Sequence, residues 1–161
     1  MENGKWAYLA AWMDRYSRKI VGWNLDVHMR EELVLKALQN AVDRYKPSHG
    51  LIVHSDRGGQ YFGNRFRKLL DKYLFRQSMS RKKSVYDNAH AESLWATIKR
   101  EMLEKGSFDS LEDAQTELFD YIEVYYNRIR RHSALGYECP EKFEQIYNQN
   151  ELLILQSKLS V

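Results

Sequence analysis

Apolar residues along this chain change their spacing several times, and each change marks an element. Within residues 30–45, Val34, Ala37, Leu38, Ala41, Val42 and Tyr45 recur at the three- and four-residue intervals of a helix with one buried face. The runs 6–14 and 19–25 are instead rich in aromatic and β-branched residues, and the polar link 15–18 predicts that they pair antiparallel. Pro47-Ser48-His49-Gly50 breaks the helix, after which Leu51-Ile52-Val53 reads as a short, buried strand of the parallel kind. Phe62, Phe66, Leu69, Leu70 and Tyr73 predict a second helix, and residues 75–79 a further strand. Residues 80–87 are polar and basic and predict a surface loop. A helix at about 88–104 would bury Leu94, Trp95, Ile98 and Met102, and one at about 110–131 would bury Leu111, Ala114, Leu118, Tyr121, Ile122 and Tyr125. Pro140 suits the first turn of a short helix to about Tyr147, and the apolar tail 152–155 is expected to dock.

Strand, strand, helix, strand, helix, strand and then helices is an α/β order, which predicts a mixed sheet flanked by helices. Ligands of such sheets bind beyond the carboxyl ends of strands, and Asp56 falls just past the end of the Leu51 strand. One domain is expected over residues 1–147, with 148–161 as a C-terminal tail. Near the start, Asn3-Gly4 favours the positive φ angles of a tight hairpin turn, which implies a strand ahead of it.

Composition narrows the class without naming a partner. Hydrophobic residues at 43% and aromatics at 13% of 161 argue for a packed core rather than disorder. The net charge of +3 permits a nucleic-acid partner but does not demand one. Distribution says more, because Arg81, Lys82 and Lys83 cluster in the predicted loop while acids concentrate between Glu101 and Glu123. Cys139 is the single cysteine, so an internal disulfide and a Cys-rich zinc site are excluded, which fits a reducing cytoplasm. No apolar run approaches membrane-spanning length, and no membrane partner is expected.

The candidate chemistry lies in two segments. His54-Ser55-Asp56-Arg57-Gly58-Gly59-Gln60-Tyr61 and Asn88-Ala89-His90-Ala91-Glu92-Ser93-Leu94-Trp95 hold Asp56 and Glu92, with 35 residues (57–91) between the two acids. Carboxylates are the expected holders of magnesium, a hard cation, and paired divalent ions about 3.5–4 Å apart suit cleavage of a phosphodiester. Gly58-Gly59 permits a sharp exit after Asp56. Lys99 follows Glu92 by two helical turns and lies on the same face, where an ammonium can meet a phosphate. Arg81, Lys82 and Lys83 are further candidates for phosphate contact, since no core or cap explains them from the sequence. His54 and His90 are expected to form hydrogen bonds rather than ligate, and Asp14, beside Ser17, is expected to serve a turn.

From residue 4 to about residue 147 the chain resembles the catalytic core of bacterial insertion-sequence transposases, whose core is similar to retroviral integrase. The resemblance rests on the run from Leu9 to Trp23 containing Trp12-Met13-Asp14-Arg15-Tyr16-Ser17, and on the two acidic segments with Lys99. Tyr125-Tyr126-Asn127 followed by Arg130-Arg131-His132-Ser133-Ala134-Leu135-Gly136-Tyr137 and Pro140 completes it. It implies a ribonuclease-H-like fold, with Asp56 and Glu92 as the second and third of three acidic ligands for Mg2+ or Mn2+. DNA, both element ends and target, is the implied substrate, and association with full-length transposase or with further copies is implied as well. A bacterial cytoplasmic site, nucleoid-associated when DNA is bound, would follow. By the same resemblance the first ligand lies on a central strand ahead of the Asn3-Gly4 hairpin. This chain begins inside that hairpin, so weak metal binding and impaired strand cleavage and transfer are expected. The alternative is a non-catalytic remnant that binds DNA or an intact transposase.

Overall fold

The computed structural model describes residues 6–82, 86–102 and 108–159, so the turn expected at Asn3-Gly4, and Lys83, lie outside the described residues. Its elements run β1 (Tyr8–Met13), β2 (Ile20–Asp26), α1 (Glu31–Tyr45), β3 (Ile52–Ser55), α2 (Asn64–Lys72), β4 (Arg76–Met79), α3 (Ala89–Met102), α4 (Leu111–Phe119) and α5 (Pro140–Leu159). These follow the predicted order, and they divide into two compact units.

The first unit combines the described residues up to Met13 with Val21–Gln115. β1 pairs with β2, and the short link 14–19 leaves only an antiparallel return. β3 pairs with β4 in parallel, Ile52 opposite Arg76 through Ser55 opposite Met79, and α2 lies in the crossover that a parallel pair requires. The described strands thus form two two-stranded sheets, one antiparallel and one parallel. Among the described residues no hydrogen-bonded pairing joins the two sheets, yet they share one core. Ala10 of β1, Val53 of β3, Leu33, Ala37 and Leu38 of α1, and Phe66 and Leu70 of α2 are all buried in it. Alternation explains the β1 contribution, because Tyr8, Ala10 and Trp12 share one strand face. Gly22 lets β2 approach α1: an added Cβ would stand 2.7 Å from Ala41 Cβ and 2.8 Å from the Ala41 nitrogen. α1 ends where Lys46 turns left-handed (φ 45°) and donates its N–H to the Val42 carbonyl at 2.8 Å, with Pro47 beyond.

The second unit combines Asp14–Ile20 with Thr116–Val161. Asp14 serves a turn, as expected, its Oδ2 accepting from the Ser17 N–H at 2.8 Å and the Ser17 hydroxyl at 2.7 Å. Lys19 pairs with Glu144 at 2.7 Å, and Tyr16 packs on Phe143 and Tyr147. Asn127, 2% exposed, uses both ends of its amide on Ile20, accepting from its N–H at 2.9 Å and donating to its carbonyl at 3.0 Å. The predicted helix over 110–131 splits, because α4 passes into a π-helix over Asp120–Tyr126 that delivers Tyr126 and Asn127 to the interior. Arg128 pairs with Glu141 at 3.2 Å, and Arg130 lies 5.7 Å from the Tyr126 ring centre and beside His132.

α5 differs from expectation in length. It continues past Tyr147 to Leu159, since no proline or glycine follows Pro140 to stop it. The tail expected to dock is therefore helical, with Leu152, Leu153, Ile154 and Leu155 each more than half exposed.

Candidate functional site

Asp56 stands one residue beyond β3, exposed, on a loop hydrogen-bonded to the strand beside β3. Its Oδ1 accepts the Gly58 N–H at 2.8 Å, and a Cβ on Gly58 would press to 3.0 Å of that oxygen and 2.9 Å of Gln60 Oε1. That close approach is why glycine suits the position. Arg57 Nε donates to the Ser80 carbonyl at 2.9 Å, and the Tyr61 carbonyl accepts from Gln77 Nε2 at 2.8 Å. Both partners belong to β4 or the residue after it, so the loop is sewn to the strand beside β3.

Beneath the loop lies an aromatic trio. Trp12 stacks on Phe66 with centroids 6.0 Å apart, and Tyr61 meets both edge-on at 5.9 and 5.5 Å. Burial pushes the Tyr61 phenol up to about 12, and the nearby charge of Asp56 acts in the same direction. The floor of the site is therefore apolar, and its rim carries the carboxylate.

His54 behaves as the sequence suggested, forming hydrogen bonds. Its Nδ1 lies 2.9 Å from Ser78 Oγ and its Nε2 3.3 Å from Ser80 Oγ. Glu31 was not legible as a site residue at all. Its carboxylate accepts the Phe66 N–H at 2.8 Å and so caps the open end of α2, while the adjacent Glu32 pairs with Arg65. A side chain at Gly63 would push the Glu31 carboxylate aside and so cost α2 this cap.

Glu92 occupies the first turn of α3 and is exposed, in the same compact unit as Asp56. The helix buries Leu94, Ile98 and Met102, so Glu92 and Lys99 are left on the outer side. Arg81, read from sequence as unexplained, has a structural partner: Asp87 accepts from its backbone N–H at 2.9 Å, its Nε at 3.1 Å and its Nη2 at 3.2 Å. That bidentate contact closes the base of the loop and raises the already high pKa of Arg81. Lys82 is exposed, and Lys83 falls outside the described residues.

Asp56 and Glu92 are both exposed carboxylates, the oxygen donors that hard divalent cations prefer. Among the described residues no group of three or more His, Cys, Asp or Glu side chains is gathered to hold a metal. No helix there is long and apolar enough to cross a membrane.

Two family models, each described as an integrase core domain, match residues 1–84 and 73–140. The chain is 44% identical over 141 residues to the transposase for insertion sequence element IS904 of Lactococcus lactis, covering 88% of this chain and 55% of that one. It is 43% identical over 145 residues to transposase InsF for insertion sequence IS3fB of Escherichia coli, covering 90% and 49%. The chain thus spans about half the length of the curated relatives it matches. Among solved structures it is similar to a chain of the simian T-cell lymphotropic virus intasome (TM-score 0.65, 12% identity, 84% of this chain and 47% of that one). It is also similar to the HTLV-2 integrase catalytic core domain in complex with magnesium (TM-score 0.59, 12% identity, 84% and 82%). At that identity the likeness speaks for the fold, which is the ribonuclease-H-like fold of integrase cores.

Proposed function

The chain belongs to the integrase core domain family, and from that premise we propose that it supplies the strand-cleaving and strand-joining core of an insertion-sequence transposase. The observation that carries this reading is the presentation of Asp56. An exposed carboxylate stands on a fixed loop at the carboxyl end of a strand, in the fold class where that place holds ligands. Glu92, in the first turn of α3, is its partner in the proposal. Magnesium, or manganese in its place, would be held by these two carboxylates, and when bound it stabilises charge at a reacting phosphodiester. The chain's own cations would bind the DNA backbone: Lys99 on the outer face of α3, with Arg81 and Lys82 ahead of it and Lys83 next to them in sequence. Phosphate would have to compete with Asp87 for Arg81. Residues 1–147 would form this core and 148–161 its tail.

One observation favours a second reading, a DNA-binding protein that associates with intact transposase or with its own copies without turning over. Among the described residues no group of three or more acidic, His or Cys side chains is gathered to hold a metal. Two carboxylates fix paired ions poorly, so absence of turnover by this chain alone is the result this reading expects.

A strand-transfer assay in Mg2+ and Mn2+, beside DNA affinity measured against salt, separates the readings. Turnover that Asp56→Asn and Glu92→Gln both abolish establishes the enzyme; turnover indifferent to both overturns the site. Salt-dependent binding without turnover establishes the second reading, and absence of binding at low salt overturns both. Lys99→Ala is expected to reduce the salt slope by about one and to weaken binding equally on all sequences.

A further inference from the structure

We propose that His54 is a positioning residue for Asp56 and acts through Ser80, an inference that rests on the reading of Asp56 as a metal-holding carboxylate. The β3–β4 ladder places His54 opposite Ser78 and ends with Ser55 opposite Met79. One further main-chain bond, from Ser80 N–H to the Ser55 carbonyl at 2.9 Å, closes the ladder. Asp56 then leaves the sheet, and its direction must be set by something other than strand pairing.

Ser80 is the point on which that direction depends. It is 7% exposed, and three residues flanking Asp56 reach it. Ser55 accepts its N–H, Arg57 Nε donates to its carbonyl at 2.9 Å, and His54 Nε2 lies 3.3 Å from its hydroxyl. The same hydroxyl lies 3.4 Å from the Ser55 carbonyl. Residues before and after Asp56 are thereby anchored to one buried serine, while the carboxylate between them stays in solvent. His54 is held from its other side by Ser78 at 2.9 Å. A neutral imidazole has one donor and one acceptor, and a serine hydroxyl accepts either role, so both ring nitrogens are satisfied in either tautomer. Removing the ring leaves the Ser80 hydroxyl with only its long contact to Ser55, and the anchor loosens at the strand end. Groups that orient a metal-holding side chain from behind typically alter metal affinity about 10–100-fold when lost.

Shape-matched amides separate a positioning role from mere filling of space. His54→Gln puts an amide near the place of Nε2 and can reach Ser80, whereas His54→Asn reaches only the place of Nδ1, toward Ser78. The metal-free readout is hydrogen exchange of the Gly58 amide, which the Asp56 carboxylate protects. His54→Ala, His54→Asn and Ser80→Ala should each speed that exchange, with Mn2+ affinity falling about tenfold in parallel, while His54→Gln and Ser78→Ala stay near the parent. The Phe66 amide, bonded to Glu31, reports whether the fold survives in each variant. Gly58 exchange unchanged in His54→Ala and Ser80→Ala overturns the proposal, as does equal loss in the Gln and Asn variants. Failure of the parent protein to bind Mn2+ would instead overturn the metal reading of Asp56, and the exchange arm would still decide whether His54 positions it.

Discussion

Asp56 leaves β3 in a loop bound to β4 through Arg57 and Tyr61 and floored by Trp12 and Phe66, whereas Glu92 rides the first turn of α3 above Leu94, Ile98 and Met102. A carboxylate on a helix inherits its direction from the helix's own backbone bonds, and docking of one apolar face completes the placement. A carboxylate on a loop has no such support and must be held by contacts distant in sequence. The two acids of one proposed site should therefore respond to different lesions.

The largest test of that contrast is in the core. Phe66 is fully buried beneath the Asp56 loop, and Phe66→Ala should cost about 3–5 kcal/mol in urea denaturation and speed Gly58 amide exchange. Ile98→Ala should cost about 2–5 kcal/mol yet leave the Gly58 amide as it was, because its helix carries Glu92 alone. Equal disturbance of Gly58 by both substitutions would erase the distinction.

A second test uses pH. The Tyr61 phenol ionises near its ordinary value of 10 in the unfolded chain and near about 12 in the folded one. Between those values the unfolded state has lost a proton that the folded state keeps, so rising pH favours unfolding. Stability is full below about pH 10 and declines on the order of 2 kcal/mol by about pH 12, a decline that Tyr61→Phe should remove. Because Asp56 contributes to the upward shift, Asp56→Asn should narrow the window, and denaturation curves at successive alkaline pH values would show it.

The smallest effect concerns the tie between α1 and α2. Glu31→Ala should cost about 1 kcal/mol by uncapping α2, with amide exchange at Phe66 rising and α3 unaffected.

Much of this arrangement was legible along the chain. The apolar run Leu51-Ile52-Val53 ahead of Asp56 and Gly58-Gly59 after it marked a strand end with a sharp exit, and β3 ends at Ser55. Ser17 beside Asp14 marked turn chemistry, and the two hydrogen bonds between them bear it out. The partner of Arg81 lies only six residues on, at Asp87, where the net basic character of the segment hides the pairing. α5 runs past Tyr147 to Leu159 because Asn148 and Asn150, though poor helix formers, do not force a stop as proline would. Other contacts left no mark. Glu31 caps a helix that begins more than thirty residues later, and Asn127 meets Ile20 from 107 residues away.

By itself the sequence determined the order of strands and helices, the places of Asp56 and Glu92 at a strand end and a helix start, and most of the buried faces, although Tyr45, Leu51, Ile52 and Tyr125, all expected inside, are exposed because the neighbouring elements do not cover them. Periodicity carries that information because burial repeats with the geometry of each element. Tertiary structure alone decided that Ser80 gathers the residues around Asp56, that Phe66 and Trp12 floor the loop, and that Glu31 closes α2. Those pairings depend on the register between β3 and β4 and on how α1 and α2 dock. A shift of one residue in that register would turn each side chain to the opposite face and give His54 other partners.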